Sequence, residues 1–469
     1  MKSNLKKIKN SVIYIGIASL MVFGSCEKVL DQKPLNEVDQ SIVITDKVSA
    51  NAAVAGLYNE LQSANYYGAN FLIIGDVTTD IAQSIGTWDH YREMDTYQVA
   101  ASGNVENNNF YTRAYATINI ANNILEKIPT LSNVIAADKD PMLGAAYFVR
   151  ALALFDLTRI YGGVPNNVGT MGMPIITKAT KTVPDVEYPT RPTLLASYAA
   201  VEQDLLKALA LLPETTNKSI ASKGASRALL SRLYLYLGDY EKVITYSNAV
   251  ISNSKYVLNP SFTEIFSSKL TSESIFELNF NDSDQSGIRN WYNPIGGRGD
   301  LTTHDLFYAQ ATANINDVRG KLYGFSTSNG RYQTKYQKAG GIDNIHILRI
   351  AEIYLNRAEA RANTADLTGA LNDLDLIRVR AGIGQINPRP ITKAAVLQAI
   401  WDEEKFEFAF EGHRLFDLMR TGQAMIVLKN ITRKNGPAVS LPVIGRAIFP
   451  IPNFELDANK NLIQNEAYQ

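Results

Sequence analysis

The sequence predicts a mainly α-helical fold of paired helices, interrupted by one loop-rich, partly β insertion. Three observations carry that prediction. Apolar residues recur at helical spacing in eight separate blocks. Four of those blocks form two consecutive pairs with the small-residue spacing of tetratricopeptide-like helix pairs, the first with Gly238 at its turn. Residues 254–345 are instead rich in Asn, Gly and Ser, with only short strand-like pieces such as 274–280.

From the N-terminus, Lys2, Lys6, Lys7 and Lys9 precede an apolar run from Val12 to Phe23, followed by Gly24-Ser25-Cys26. A basic start, a short apolar core and small residues before a cut mark residues 1–25 as a secretory signal peptide. Twelve helical residues span about 18 Å, short of the roughly 30 Å of a bilayer core. The Phe23-Gly24-Ser25-Cys26 ending resembles a bacterial lipobox, so Cys26, the only cysteine of the chain, is expected to carry the lipid. Residues 26–40 would then be a lipidated tether, and 41–469 a single domain. The whole chain balances 46 Lys+Arg against 46 Asp+Glu; without the four leader lysines the mature chain has a net charge of −4. That excludes a generic nucleic-acid binder, which needs a cationic surplus. One cysteine also excludes an internal disulfide framework and multi-cysteine zinc sites.

Helices are expected over 46–62, 145–161, 198–212, 224–237, 240–251, 347–362, 368–380 and 396–420. The second carries Phe148, Leu152, Phe155 and Ile160 on one stripe and stops at Gly162-Gly163 before Pro165. The proline-rich stretch 164–190 reads as a long loop. Leu230, Ser231, Tyr234, Gly238-Asp239-Tyr240 and Val243 fit one tetratricopeptide-like pair, and Ala358, Ala370, Leu374 and Ile377 a second. The anchors Val243 and Ala370 are 127 residues apart, which argues against a contiguous solenoid.

Catalytic chemistry is hard to assemble. His90, His304, His346 and His413 have no second ligand at helical spacing, and His413 reads as a structural hydrogen-bonding residue. Asp402, Glu403, Glu404, Glu407 and Glu411 superficially suggest a glycosidase pair. With Glu404, Glu407 and Glu411 along one helical face and Arg414 just beyond, salt-linked packing explains them more simply. Asp282 and Asp284 begin a calcium-type loop, but Asn293 stands where the twelfth-position Glu is needed, so an Asx-rich turn is the plainer reading and structural Ca²⁺ stays only an alternative.

Binding chemistry is easier to find. Sugars present apolar C–H faces ringed by hydroxyls, so their receptors combine aromatic planes with carboxylates, amides and guanidiniums. Two loop-like segments have that mixture. One runs from Tyr66 and Tyr67 through Asp76, Asp80, Trp88, Asp89, His90, Tyr91 and Arg92; the other comprises Arg289, Asn290, Trp291, Tyr292 and Asn293, leading to Arg298 and Asp300. The third tryptophan, Trp401, shares an apolar face with Leu397 and Phe408 and is assigned to the core.

Four blocks then resemble one family. They are Arg150-Ala151-Leu152 with Phe155-Asp156-Leu157-Thr158-Arg159-Ile160-Tyr161-Gly162-Gly163-Val164-Pro165, the run Leu348 to Ala360, the run Phe410-Glu411-Gly412-His413-Arg414 to Arg420, and Pro450-Ile451-Pro452 with Glu455, Asn459, Gln464-Asn465 and Tyr468. Together with the lipobox they are similar to the SusD/RagB family. The resemblance implies a SusD-like right-handed scaffold of tetratricopeptide-like pairs, with its ligand surface built by the irregular portion. It also implies a surface lipoprotein of the outer membrane that partners a SusC-like TonB-dependent transporter and captures oligosaccharides, or less often peptides, without catalysis. Expected ligand contacts are Tyr66, Tyr67, Asp80, Trp88, Tyr91, Arg92, Trp291, Tyr292, Asn293 and Arg298, with no cofactor. The rivals are a membrane-anchored repeat scaffold that binds only protein, and a surface glycan hydrolase.

Overall fold

The computed structural model describes residues 44–434 and 441–469; the predicted signal peptide, Cys26 and the tether lie outside them. Residues Asp46–Gln469 cluster into one unit. In chain order the helices are α1 (Lys47–Gln62), α2 (Asn70–Val77), α3 (Asp89–Asp95), α4 (Val105–Lys127), α5 (Ala136–Leu157), α6 (Leu194–Leu211), α7 (Lys223–Leu237) and α8 (Tyr240–Ile251). Within and after the insertion come α9 (Glu264–Ser267), α10 (Ile288–Tyr292), α11 (Asp305–Ala311), α12 (Ile350–Asn363), α13 (Leu367–Arg380), α14 (Lys393–Glu407), α15 (Arg414–Arg420), α16 (Ala424–Leu428) and α17 (Asn453–Ala458). Six short strands are β1 (Ala82–Ser84), β2 (Ser274–Leu278), β3 (Leu301–Thr303), β4 (Tyr323–Ser326), β5 (Gly330–Gln333) and β6 (Ile345–Arg349), paired antiparallel as β1–β3, β2–β6 and β4–β5.

Local chemistry accounts for the helix ends. Asp46 accepts the Ser49 N–H at 2.8 Å while Ser49 Oγ accepts the Asp46 N–H at 3.0 Å, a reciprocal cap on α1. Gly238, in the left-handed region at φ 73°, ends α7, and Asp239 caps α8 by accepting the Lys242 N–H. Helix α5 closes in a wide turn, Thr158–Gly162, and Gly163 takes φ 103°. A side chain at Gly163 would place its Cβ 2.1 Å from the Val168 carbonyl oxygen, so only glycine fits.

The mainly helical prediction holds, and the helices stack in sequence: α4 on α5, α5 on α6, α6 on α7, α7 on α8, then α8 directly on α12, α12 on α13 and α13 on α14. The expectation of a broken solenoid is therefore corrected. The insertion between α8 and α12 leaves the helical stack continuous. Small residues make the close approach: Ser231 and Ser247 hydroxyls meet at 2.8 Å, and Ala358, Ala362 and Ala370 pack with Leu374 and Ile377 in one core. Trp401 packs against that core beside Leu397 and Phe408, as expected.

Other departures have identifiable causes. The predicted helix over 396–420 is two helices, broken at Phe410 (φ 66°) and Gly412 (φ 77°). Residues 347–349, expected as the first turn of a helix, belong to β6, which pairs with β2. Helix α4, which the sequence reading missed, contains six asparagines.

The insertion is held to the scaffold by a buried charge network. Arg349, at the end of β6, meets Glu273, Glu407 and Glu411; Arg380 joins Glu273 and Glu407, Lys335 joins Glu411, and Arg319 joins Glu403. Every one of these side chains is at most 4% exposed. Glu404 pairs with Arg420 at 2.8 Å. The carboxylates Glu403, Glu404, Glu407 and Glu411 thus face buried cations. His413 stacks on Phe408 at 4.8 Å, and burial first of all drives its pKa down to about 3.

Candidate functional site

The β1–β3 pairing builds the site. It aligns Ala82 with Thr303 and Ser84 with Leu301. The Asp300 carbonyl then accepts both the Ile85 and Gly86 N–H groups, at 2.8 and 3.0 Å. Gly86 is pressed against Asp300: a Cβ there would lie 2.2 Å from Asp300 Oδ1. Pairing therefore delivers Trp88, just past β1, to Arg298, just before β3. Helix α10 supplies Trp291, and the Asn290 carbonyl accepts the Arg298 N–H at 2.7 Å, fixing the loop between them.

The two tryptophans end up side by side, centroids 5.8 Å apart and inclined at 45°. The Arg298 guanidinium lies over both, 5.4 Å from the Trp88 ring and 5.2 Å from the Trp291 ring. Both indoles are half-buried, and Arg298 retains 40% of its side-chain exposure. Behind them each ring is braced. Trp88 donates its indole N–H to Glu106 Oε1 at 3.0 Å and meets the His90 ring edge-on at 5.1 Å. Tyr91 stands perpendicular to Trp291 at 4.8 Å and donates its hydroxyl to Asn70 Oδ1 at 2.9 Å. Burial pushes the Glu106 carboxyl up in pKa, against the indole N–H and His90, which favour its charged form. Thr87, Asp89 and Asn290 are exposed at the rim.

Of the residues expected to contact ligand, Trp88, Trp291 and Arg298 are brought together, with Arg92 close by on α3, ion-paired to Asp89; Tyr91, 1% exposed, braces Trp291 from behind and does not face a ligand. Five others are corrected by their burial or location. Tyr66 and Tyr67 are 0% and 3% exposed, and both donate their hydroxyls to the buried Asp156 at 2.7 Å, so they are core pillars. Tyr292 is buried edge-on against Phe410 at 5.4 Å. Asn293 is buried and spends its amide on Gln337 at 2.9 Å and its oxygen on the Ile295 N–H at 2.7 Å. Asp80 belongs elsewhere: it is ion-paired with Arg414 at 2.7 Å in a separate cleft of about 240 Å³ that also includes Trp401. The two segments read as loops are also partly helical, as α2, α3 and α10.

Asp282 and Asp284 sit in a tight turn in which Asn281 and Asp284 exchange backbone hydrogen bonds at 2.9 and 3.0 Å. Among the described residues no group of three His, Cys, Asp or Glu side chains is arranged to hold a metal ion. Sequence reasoning missed Glu106 because it lies on α4; the one local signal was Asn104, whose side chain caps that helix by accepting the Asn107 N–H at 2.9 Å.

Two family profiles match the chain. One, described as "SusD family", covers residues 289–468; the other, described as "Starch-binding associating with outer membrane", covers residues 28–235. A SusD-like protein of Formosa agariphila is 23% identical over 98% of this chain and 99% of its own. The starch-binding protein SusD of Bacteroides thetaiotaomicron is 33% identical over a shorter stretch, 27% of this chain and 22% of that protein. A crystal structure of a SusD superfamily protein from Bacteroides vulgatus superposes with a TM-score of 0.79 at 27% identity, covering 91% of this chain and all of that one.

Proposed function

Since the chain belongs to the SusD family, we propose that it captures glycans at the cell surface and passes them, without catalysis, to a SusC-like TonB-dependent outer-membrane transporter. The observation that carries this reading is the platform of Trp88, Trp291 and Arg298. Paired indoles offer apolar faces to the C–H surfaces of a sugar, and the guanidinium and rim carboxylate exchange hydrogen bonds with its hydroxyls. Starch binding in one family description, and in the name of one relative, supports a carbohydrate ligand. The transporter partner rests on the family. Outer-membrane association is supported by the same family description, and Cys26 is the expected point of lipid attachment.

A thermal-shift screen of glycans and peptides tests the reading. A ligand that binds only the native state at 100 times its Kd adds about 2.7 kcal/mol of stability. At least one glycan is expected to raise the Tm; stabilisation by peptides alone would replace glycan capture with peptide capture, and silence across the screen would favour a scaffold that binds only protein. For the anchor, the Cys26→Ala variant is expected to leave the membrane fraction of fractionated cells. A fatty-acid label carried by the wild type should be absent from that variant; label persisting in Cys26→Ala would rule out attachment through Cys26, whereas retention in the membrane fraction alone would not, because the transporter partner also holds the chain there.

A further inference from the structure

The charges around the platform narrow the ligand class, an inference that rests on the platform's being a glycan site. Three carboxylates adjoin the platform, Asp89 beside Trp88, Glu106 at the Trp88 N–H and Asp300 paired to Arg298, and a fourth, Glu93, lies one turn further along α3, where it accepts the Asn104 amide at 2.8 Å. Against them stand two guanidiniums, and each is already engaged by one of those carboxylates. Arg92 pairs with Asp89. Arg298 gives Nε and one Nη to Asp300 Oδ2, at 2.9 and 2.6 Å. The next arginine along α10, Arg289, gives its guanidinium to the carbonyls of Gln337, Gly296 and Ile295 at 3.0–3.2 Å, so it closes the neighbouring loop.

An anionic ligand would therefore meet a surplus of two negative charges, and the one cation lying across the indoles is neutralised from below. We propose that the platform selects neutral glycans and rejects chains bearing uronate or sulfate groups. Asp300 is the positioning residue behind that choice. It is held between the β1–β3 pairing and Gly86, cancels the charge of Arg298 and keeps its guanidinium over both rings. The guanidinium then serves as a hydrogen-bond donor to hydroxyls. Asp89, 62% exposed, is the matching acceptor at the rim.

The test uses affinity electrophoresis at pH 8, where an ordinary imidazole is neutral, and at low salt, where charge effects are largest. The purified protein is run through neutral polysaccharides (α-glucan, β-glucan, xylan, mannan) and anionic ones (polygalacturonate, alginate, a sulfated galactan). Retardation by at least one neutral polymer, lost in Trp88→Ala, and at least tenfold weaker retardation by every anionic polymer is expected. Asp300→Asn is expected to gain salt-sensitive retardation by an anionic polymer. Retardation of the wild type by an anionic polymer alone, again lost in Trp88→Ala, would overturn the inference while leaving glycan capture standing. Retardation by neither class would overturn both.

Discussion

Replacing Arg349 with methionine is expected to lower the free energy of unfolding by about 3–5 kcal/mol, because it removes the central partner of several buried carboxylates. The guanidinium is 2% exposed. It donates to Glu273 at 2.8 Å, to Glu411 at 2.8 and 3.0 Å, and to the Glu407 carbonyl at 2.9 Å. Methionine fills much of the volume but leaves those acceptors to Arg380, Lys335 and the Asn259 N–H. The same network sets an acid limit. Burial pushes the Glu407 carboxyl up, but Arg380, Arg349 and Arg319 outweigh burial and hold its pKa at about 2, below its ordinary 4.5. A depressed carboxylate contributes stability that is fully present above its unfolded pKa and is lost as pH falls through its folded one. Urea unfolding should therefore show stability declining between about pH 4.5 and pH 2, over a narrower window in Arg349→Met, where Glu407 is less depressed. A variant within 1 kcal/mol of wild type, with the same acid profile, would contradict this account of how the insertion is fastened.

Alanine at either Trp88 or Trp291 is expected to weaken glycan binding by about 2 kcal/mol, roughly thirtyfold, since buried-edge aromatics dominate small interfaces. The double variant should fall short of the sum. The rings lie 5.8 Å apart and share Arg298, so removing one already loosens the other. Trp88→Ala also strips Glu106 of its indole donor, which costs stability as well as affinity. Trp88→Phe separates the two, keeping a ring while losing the N–H. Isothermal titration with the glycan found in the screen gives the affinities, and circular dichroism confirms folding. Wild-type affinity in both single alanine variants would remove the platform from the binding site.

Much of the scaffold was legible because its signals are local. Gly238-Asp239 marks the end of one helix and the cap of the next within two residues, and Gly162-Gly163 closes the wide turn that follows α5. What was not legible depends on distant partners. The asparagines of α4 have poor helix propensity, but Asn122 holds the carbonyls of Ile176 and Lys178, and Asn107 that of Pro450. The helix thus exists partly to grip segments 54 to 343 residues away. The run through 396–420 looks continuous because its residues are good helix formers. It breaks where Arg349 and Lys335 take the Glu407 carbonyl at 2.9 and 3.2 Å and two residues adopt positive φ.

The same division applies to the site. An aromatic, amide and carboxylate mixture pointed to Trp88, Trp291 and Arg298, but a tyrosine facing a ligand and a tyrosine facing a buried Asp read alike. Only Asp156, about 90 residues on, places Tyr66 and Tyr67 in the core. Nor does sequence reveal that β1 pairs with β3, the step that closes a gap of some two hundred residues between the two indoles.

The chain has three tryptophans, and two of them form the platform. In a Trp401→Phe variant, tryptophan emission reports on Trp88 and Trp291 alone. Titrating that variant with the glycan that stabilises the protein should change the emission, saturating at the Kd measured by calorimetry. A glycan that binds with undiminished affinity and leaves the emission unchanged would show that it is captured somewhere other than the two indoles.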